Sequence, residues 1–374
     1  MSVEITDRPM GRAECADPVS LLDLLEQLTP ADERRIAAAE RALMILERCP
    51  GELQVISPLL THIEAFAMAG LSRMFPGVHD STEGAIAGMP EDGPDQRAAA
   101  WLSDSEIGRI GAGIDAILSA EHPLWMFPEH IEAVYRSVVP DAPEQAVSAA
   151  WGSERMERMC AYLSGATPSA LLQAVAASAE VRAYPAAGIE TELLARSLFH
   201  TVLARRGVTS CSALPMSCVL IGHADRLQEA QNHYRADRER ATGYGLRTWL
   251  MFMADMVTRA AKLTEASTDR MEELLGDWRA RTDEHRRAAG SKRTLRADSA
   301  TARLMEALVG HPVVTVRDAA ALLGTSEKSA RGAIDELRGA GILRTERLPG
   351  GRVRFIAPDV LDLAVSLQRE AATA

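Results

Sequence analysis

Apolar residues recur every three or four positions along most of this 374-residue chain, which is the spacing of amphipathic helices. Residues that favour helix starts precede several of these stretches. Thr29 and Pro30 predict an N-cap followed by a first helical residue, and Ser57 and Pro58 predict the start of the next helix. An alternating strand pattern is almost absent before about residue 342. We therefore expect an all-α fold for most of the chain.

The same periodicity predicts further helices in the N-terminal and central parts of the chain. They span residues 19–28, 97–120, 128–139, 143–163, 168–182, 191–206, 216–237 and 244–289. Residues 76–96 are rich in Gly, Pro and acidic residues, a composition typical of surface loops, and residues 1–17 are expected to be disordered.

The pattern becomes sharper near the C-terminus. A helix capped by Asp298 or Ser299 comes first. Thr315 then caps a short helix, Gly324 allows a tight turn, and Ser326 caps a second helix. These signals predict three helices in close succession.

Residues 342–357 follow the three helices and contain two strand-like stretches, separated by Leu-Pro-Gly-Gly at 348–351, which predicts a β-hairpin. The apolar residues expected between the crossing helices are Val316, Ala319, Ala320, Leu323, Ala330, Ile334 and Leu337. Three helices and a hairpin in this order predict a small winged helix–turn–helix domain with a β-hairpin wing.

A chain of this length exceeds the size at which one core usually stops growing, so more than one domain is expected. We divide it into an N-terminal extension with helices at 1–50, a helical domain at 51–290 and the winged helix–turn–helix domain at 291–374.

The net charge of −11 is unevenly distributed. Residues 291–356 hold 12 Lys and Arg against 7 Asp and Glu, and the rest of the chain holds 29 against 45. An acidic body with a small basic module fits a nucleic-acid-binding protein, and chance variation is the other interpretation.

Five scattered cysteines without a CxxC pair argue against a disulfide framework or a zinc site. The N-terminus lacks a secretory signal, and no run approaches 18 apolar residues. We expect a cytoplasmic protein with no membrane partner.

In winged helix–turn–helix modules the second helix enters the major groove of DNA, and the wing meets phosphates. The residues expected to contact DNA are Ser326, Lys328, Ser329 and Arg331 on the helix, and Arg347, Arg352 and Arg354 on the wing. Glu327, Asp335 and Glu336 on the same helix oppose this interpretation, and protein-binding adaptors are the alternative class.

Residues 195–207 (ARSLFHTVLARRG), 214–235 (LPMSCVLIGHADRLQEAQNHYR) and 246–263 (LRTWLMFMADMVTRAAKL) resemble the C-terminal half of Fic-family (Fido) proteins. With the APDVLDL segment that ends at Leu363, the resemblance covers residues 183–365. It implies an all-helical Fic-like core. It also implies the family's activity, the transfer of AMP or another nucleotide or phosphate moiety to a target hydroxyl.

That activity depends on a loop of the form HPFxxGNGRxGR, which supplies a histidine base and holds the nucleotide phosphates and Mg²⁺. Residues 184–196 match this loop, and Arg196 falls on its second arginine. The histidine is missing, and Glu190 and Glu192 stand where phosphate would bind. Ser72 replaces the glutamate of the family's inhibitory helix. The departures indicate a catalytically silent Fic-like domain.

Three hypotheses follow. The first is a DNA-binding regulator that needs no cofactor or metal, with the Fic-like body as a platform for a homodimer, a protein partner or a small-molecule effector. The second is a divergent transferase that uses ATP and Mg²⁺, with Glu190 or Glu192 as base and Arg196 as an anion-binding residue. The third is a non-enzymatic interaction protein.

Other residues are interpreted structurally. His200, Cys211, Cys218, Trp249 and Phe252 are expected in the core, 122–127 (HPLWMF) as a packed turn, and His223, Asp225 and His233 on a solvated helix face.

Overall fold

The computed structural model describes residues 28–46, 50–74, 105–165, 169–183, 188–209, 212–238, 243–291, 293–348 and 351–373. The expected disordered N-terminus, the predicted helix at 19–28 and the predicted loop at 76–96 lie outside these ranges.

The described part of the chain is mostly helical, as expected, and its three short strands form one sheet. The helices before residue 290 are α1 (Pro30–Leu46), α2 (Pro50–Met74), α3 (Ser105–Ser119), α4 (Pro128–Val138), α5 (Ala146–Trp151), α6 (Ser153–Ser164), α7 (Ala170–Ala183), α8 (Thr191–Arg205), α9 (Met216–Gly222), α10 (Ala224–Arg238) and α11 (Tyr244–Ala288). The later elements are α12 (Ala300–Gly310), β1 (Val313–Val314), α13 (Val316–Leu323), α14 (Glu327–Gly339), β2 (Arg344–Arg347), β3 (Val353–Ile356) and α15 (Pro358–Thr373).

Helix α11 forms the spine of the molecule. It has 45 residues, which makes it roughly 70 Å long. Trp249 near its start and Trp278 near its end are both fully buried. Helices α1, α7 and α10 pack along its first half, and α14 and α15 contact its second half. One contiguous apolar core therefore extends from the N-terminal helices to the last helix.

The predicted start of α1 is confirmed. Thr29 Oγ1 accepts a hydrogen bond from the Asp32 amide, and the Asp32 carboxylate accepts one from the Thr29 amide. The predicted start of α2 at Ser57 is wrong, because the helix begins at Pro50 and continues through Pro58. Apolar side chains on both sides of Pro58 are buried, so burial along one continuous face outweighs the hydrogen bond that proline cannot donate.

Two predicted helices are divided. The helix predicted at 143–163 is interrupted at Gly152, whose φ of 80° belongs to the left-handed region that glycine favours. The helix predicted at 216–237 is interrupted at His223. The helix predicted at 97–120 is described from Ser105 to Ser119, and residues 97–104 lie outside the described ranges. The other described helices before residue 290 agree with their predicted ranges to within a few residues.

The predicted hairpin at 342–357 is present. Strands β2 and β3 are antiparallel, with Glu346 opposite Arg354. Strand β1, which the sequence pattern did not predict, pairs with the other edge of β3, so the strand order is β1-β3-β2. Ser299 caps α12, and Gly324 ends α13 with a φ of 59°, as a tight turn before α14 requires.

Helix α15 was not predicted as an element, and it joins the C-terminal residues to the body. A Cβ placed on Gly222 would lie 2.3 Å from Cα of Ala372, so α15 runs directly against α9. The Asp359 carboxylate at its start accepts hydrogen bonds from Trp278 Nε1 at 2.8 Å and from Arg281 at 2.7 Å. The segment that starts near residue 291 is thus packed firmly on the preceding helices.

Helix α2 contains an apolar stretch, Leu53–Met74, that is long enough to cross a membrane and has a mean hydropathy of 1.3. In the structure 61% of its most apolar 18 residues are buried. Because the core helices of globular proteins pass the same test, its length and composition are weak evidence for a membrane span.

Candidate nucleic-acid interface

Helix α14 begins immediately after the turn at Gly324. Ser326 Oγ accepts a hydrogen bond from the Ser329 amide at 3.3 Å, which satisfies one of the free N–H groups at the helix start. Ala330, Ile334 and Leu337 are buried beneath the helix, as their spacing predicted. Two of the expected DNA contacts, Ser326 and Ser329, therefore also form the cap that fixes the helix start.

The first turns of α14 expose two cations. Lys328 and Arg331 are both exposed, and neither has an ion-pair partner among the described residues. Glu327 is exposed beside them and is the one acidic residue in the first turn of the helix. The start of α14 thus carries a net positive charge that is available to a ligand.

The hairpin contributes two more exposed cations, Arg347 and Arg352, which flank the turn between the strands. They too form no ion pair within the described part of the chain. Arg354 departs from the expectation that it faces DNA: it is 9% exposed, and its guanidinium pairs with Glu346 on the neighbouring strand. The register of the hairpin brings the two residues opposite each other, so Arg354 stabilises the hairpin and is withdrawn from its surface.

The other two acids of α14, Asp335 and Glu336, form ion pairs with arginines. The Glu336 carboxylate accepts a hydrogen bond from Arg286 Nη2 at 3.1 Å and another from Thr301 Oγ1. Burial by itself would raise the pKa of Glu336, but these contacts hold it below its ordinary value. Asp335 pairs with Arg338 at 3.2 Å. Two of the three acids that opposed DNA binding are therefore neutralised by arginines.

Sequence reasoning missed a further exposed cation, Arg317. It is the second residue of α13 and has no ion-pair partner among the residues that the structure describes. Its place on the helix is the signal that could have identified it, because Arg317 lies off the face formed by the buried Ala319, Ala320 and Leu323.

Arg196 lies in a different environment. It is fully buried in α8, and its Nη2 donates to Ser178 Oγ at 2.8 Å. Burial and the charge of Arg182 lower the pKa of Arg196 to about 9, while Glu192 and Glu64 act in the opposite direction. Its Nε and Nη1 have no hydrogen-bond partner among the residues that the structure describes. As the helices are packed here, solvent does not reach the guanidinium.

The neighbouring pair Arg182–Glu192 is also buried. Arg182 Nε donates to both Glu192 oxygens, at 2.7 and 3.0 Å, and its guanidinium lies 5.3 Å from the Trp249 ring. Burial alone would raise the pKa of Glu192, but the charge of Arg182 and its hydrogen bonds lower it. Glu192 is thus committed to an internal ion pair.

Glu190 and Glu192 stand at the start of α8, where a phosphate would need free amides. The Glu190 carboxylate accepts a hydrogen bond from Ser72 Oγ at 2.8 Å, and the Glu190 amide donates to the Tyr135 hydroxyl at 2.9 Å. Helix α2, which carries Ser72, therefore reaches the start of α8. The matched motif residues 184–187 lie outside the described residues.

The remaining interpretations have mixed outcomes. His200 is buried in the core as expected, with its Nε2 3.0 Å from Glu64 Oε1. Trp249, Phe252 and Cys218 are also buried as expected. Cys211 lies outside the described residues. Asp225 and His233 are exposed and His223 is half-buried. Among the described residues no group of three or more His, Cys, Asp or Glu is arranged to hold a metal ion.

The prediction that residues 122–127 form a packed turn is wrong for most of its apolar side chains. Met126 is buried, but Leu124, Trp125 and Phe127 are exposed. The apolar composition of this turn predicted burial, whereas its geometry directs three of its side chains outward.

No model of a known protein family matches this chain, and no curated protein matches it either.

Proposed function

We propose that this chain is a DNA-binding regulator whose residues 291–373 form a winged helix–turn–helix module. The observation that carries the proposal is that the Lys and Arg side chains expected to contact DNA are exposed and unpaired among the described residues, except Arg354. Lys328, Arg331, Arg347 and Arg352 are exposed without ion pairs among the described residues, whereas the nearby Arg286 and Arg354 are paired with carboxylates. Free cations at a helix start and on a hairpin are what phosphate contacts and base readout need.

The order of elements supports the same proposal. A capped helix, an αL glycine turn and a second capped helix are followed by an antiparallel hairpin. In such a module α14 would enter the major groove, and Arg347 and Arg352 on the hairpin would contact phosphates. Arg317 at the start of α13 would add a further phosphate contact.

The proposal is tested by selecting fragmented genomic DNA on the full-length protein. We expect enrichment of a few sites that is lost in the variant Lys328→Ala/Arg331→Ala. In salt titrations Arg347→Ala and Arg352→Ala should each reduce the salt slope by about 1, because each removes one phosphate contact. No enrichment, or an unchanged slope in both wing variants, would remove the proposal.

A matched control is Arg41→Ala, which removes the same charge from the exposed surface of α1. It should leave both the selected sites and the salt slope unchanged. A loss of affinity equal to that of the wing variants would mean that overall charge, and not the module, governs binding.

We further propose that the helices before residue 290 form a catalytically silent Fic-like body. The contact between Ser72 and Glu190 supports this, since it brings the segment that resembles the inhibitory helix to the start of the helix after the degenerate motif. The exposed carboxylate of Glu190 at the start of α8 would repel a nucleotide phosphate, whereas Glu192 is buried and paired with Arg182. Calorimetry with ATP and Mg²⁺ should show no binding, and binding would favour the divergent transferase instead.

A further inference from the structure

Gly332 lies in the middle of α14, the helix proposed to enter the major groove. Glycine lowers the stability of a helix relative to alanine, so a glycine inside a helix needs a compensating reason. The described part of the chain supplies none for Gly332. The residue is exposed, its φ is not positive, and a Cβ added to it would meet nothing within 4 Å.

The other described glycines of residues 291–373 each have such a reason. At two of them an added Cβ would collide with the helical body, and at the other three the φ is positive, which side chains disfavour. The first group is Gly310 against Pro58 and Gly339 against His285, and the second is Gly324, Gly341 and Gly351. A compensating contact for Gly332 would therefore come from outside the described chain.

Gly332 lies on the outward face of α14. The buried residues of this helix are Ala330, Ala333, Ile334 and Leu337. At about 100° per residue, Gly332 points about 150° away from their mean direction. Lys328 and Asp335 lie one turn before and one turn after it, and Arg331 adjoins it. The helix backbone is thus bare near the centre of the surface that carries the two free cations.

The charges around Gly332 suit a polyanion. Lys328 and Arg331 are exposed and have no ion-pair partner among the described residues. Asp335 pairs with Arg338 at 3.2 Å, so the acid on this face is compensated within the helix. A phosphate backbone can therefore approach the surface around Gly332 without meeting an unpaired carboxylate on the same face.

Gly276 on α11 is a second exposed helical glycine at which an added Cβ would meet nothing within 4 Å. Its surroundings differ from those of Gly332. Glu272 and Glu273, one turn before Gly276, are both exposed. These acids would repel DNA, so the surrounding charge distinguishes Gly332 from Gly276 as a DNA contact.

A helix without a side chain at one point can approach a surface more closely there than a helix that carries one. In the major groove, this approach would bring Lys328 and Arg331 within reach of base edges, which carry the sequence information. We infer that Gly332 is the point of closest contact between α14 and the base edges and thereby determines sequence specificity. This inference rests on the proposed function of the module.

The test measures thermal unfolding and DNA binding on the same variants of the full-length protein. Gly332→Ala should raise the Tm by about 1–2 °C, because alanine favours the helix. It should weaken binding to a site selected by the wild type by about tenfold, and Gly332→Leu should weaken it by at least about 100-fold, because a larger side chain holds the helix further from the bases. Binding to a scrambled duplex of the same length should not change, since non-specific binding depends on phosphate contacts.

The matched controls are Gly276→Ala and Gly276→Leu, which favour a helix in the same way and should leave both affinities unchanged. A wild type that selects no site would remove the proposed function and this inference with it. A wild type that selects sites, together with Gly332 variants that bind them as tightly, would overturn the inference alone. An equal loss of affinity for the selected and scrambled duplexes would also overturn it, because Gly332 would then not act on specificity.

Discussion

At the scale of single residues, the pair Arg182–Glu192 shows how charges are accommodated in the core. Both side chains are almost completely buried, and the guanidinium is shared between the carboxylate and the Trp249 ring. Taking two charges out of water is costly, so the pair is stable only while both members are present. Removing one leaves the other buried without a counter-charge.

We therefore expect Glu192→Gln to lower the free energy of unfolding by about 3–5 kcal/mol. Urea denaturation followed by circular dichroism measures this. The double variant Arg182→Met/Glu192→Leu removes both charges and should lose less than the single variant. If the double variant is the less stable of the two, the pair contributes through packing and not through charge compensation.

At the scale of elements, caps and turns decide where helices begin. Ser326 has two roles in the proposed function. Its Oγ accepts a hydrogen bond from the Ser329 amide and so caps α14, and the residue lies at the expected DNA surface. The two roles have different chemical requirements. A cap needs an oxygen acceptor, which can be a neutral hydroxyl or a negatively charged carboxylate. A phosphate of DNA tolerates a hydroxyl beside it but repels a carboxylate.

Ser326→Ala should lower the free energy of unfolding by about 1 kcal/mol through loss of the cap. Ser326→Asp should keep the stability of the wild type and weaken DNA binding. Thermal unfolding and a DNA-binding titration on the same samples separate the two effects. Unchanged affinity in the Asp variant would show that the start of α14 is not at the DNA surface.

At the scale of the whole molecule, close backbone contacts join residues beyond 290 to the body. A Cβ on Gly222 would lie 2.3 Å from Cα of Ala372 and 2.9 Å from the Ala371 carbonyl oxygen. A Cβ on Gly310 would lie 2.3 Å from Cβ of Pro58. Two separate elements of the C-terminal segment are therefore seated against the helical body.

Gly222→Ala should lower the free energy of unfolding by about 1–3 kcal/mol, because α15 must move away from α9. The control is Gly276→Ala in the exposed face of α11, where an added Cβ meets nothing within 4 Å. It should raise stability by up to about 1 kcal/mol. Chemical denaturation of both variants measures the difference, and equal effects would contradict the close contact.

A further contact joins Arg286 on α11 to Glu336 on α14. Its strength depends on pH, because the Glu336 carboxylate can be protonated. The pKa of Glu336 in the folded protein lies below its ordinary value of 4.5, so the folded state binds fewer protons than the unfolded state in acid. Its contribution is complete above that ordinary value and is lost as the pH falls through the lowered folded value.

Arg286→Met should therefore destabilise the protein more at about pH 7 than at about pH 4, where the wild type has begun to lose the same contact. Urea midpoints of both proteins at the two pH values test this. A difference that does not depend on pH would mean that Arg286 acts through packing alone.

The sequence by itself determined the elements whose signals are local. The caps at Thr29, Ser299, Thr315 and Ser326 and the αL turn at Gly324 are hydrogen-bonding and steric properties of adjacent residues, so they could be predicted. The hairpin followed from its alternation and its turn. The candidate DNA-contacting residues could be identified by position, and their role stays a prediction, as does the resemblance to the Fic family.

Only the tertiary structure decided which side chains meet. It continued α2 through Pro58, paired Arg354 with Glu346 and left Leu124 and Trp125 exposed in an apolar turn. It also brought Glu336 to Arg286 and α15 to α9. The free energy of each of these contacts depends on groups that are distant in the chain, and periodicity records only neighbours along the chain.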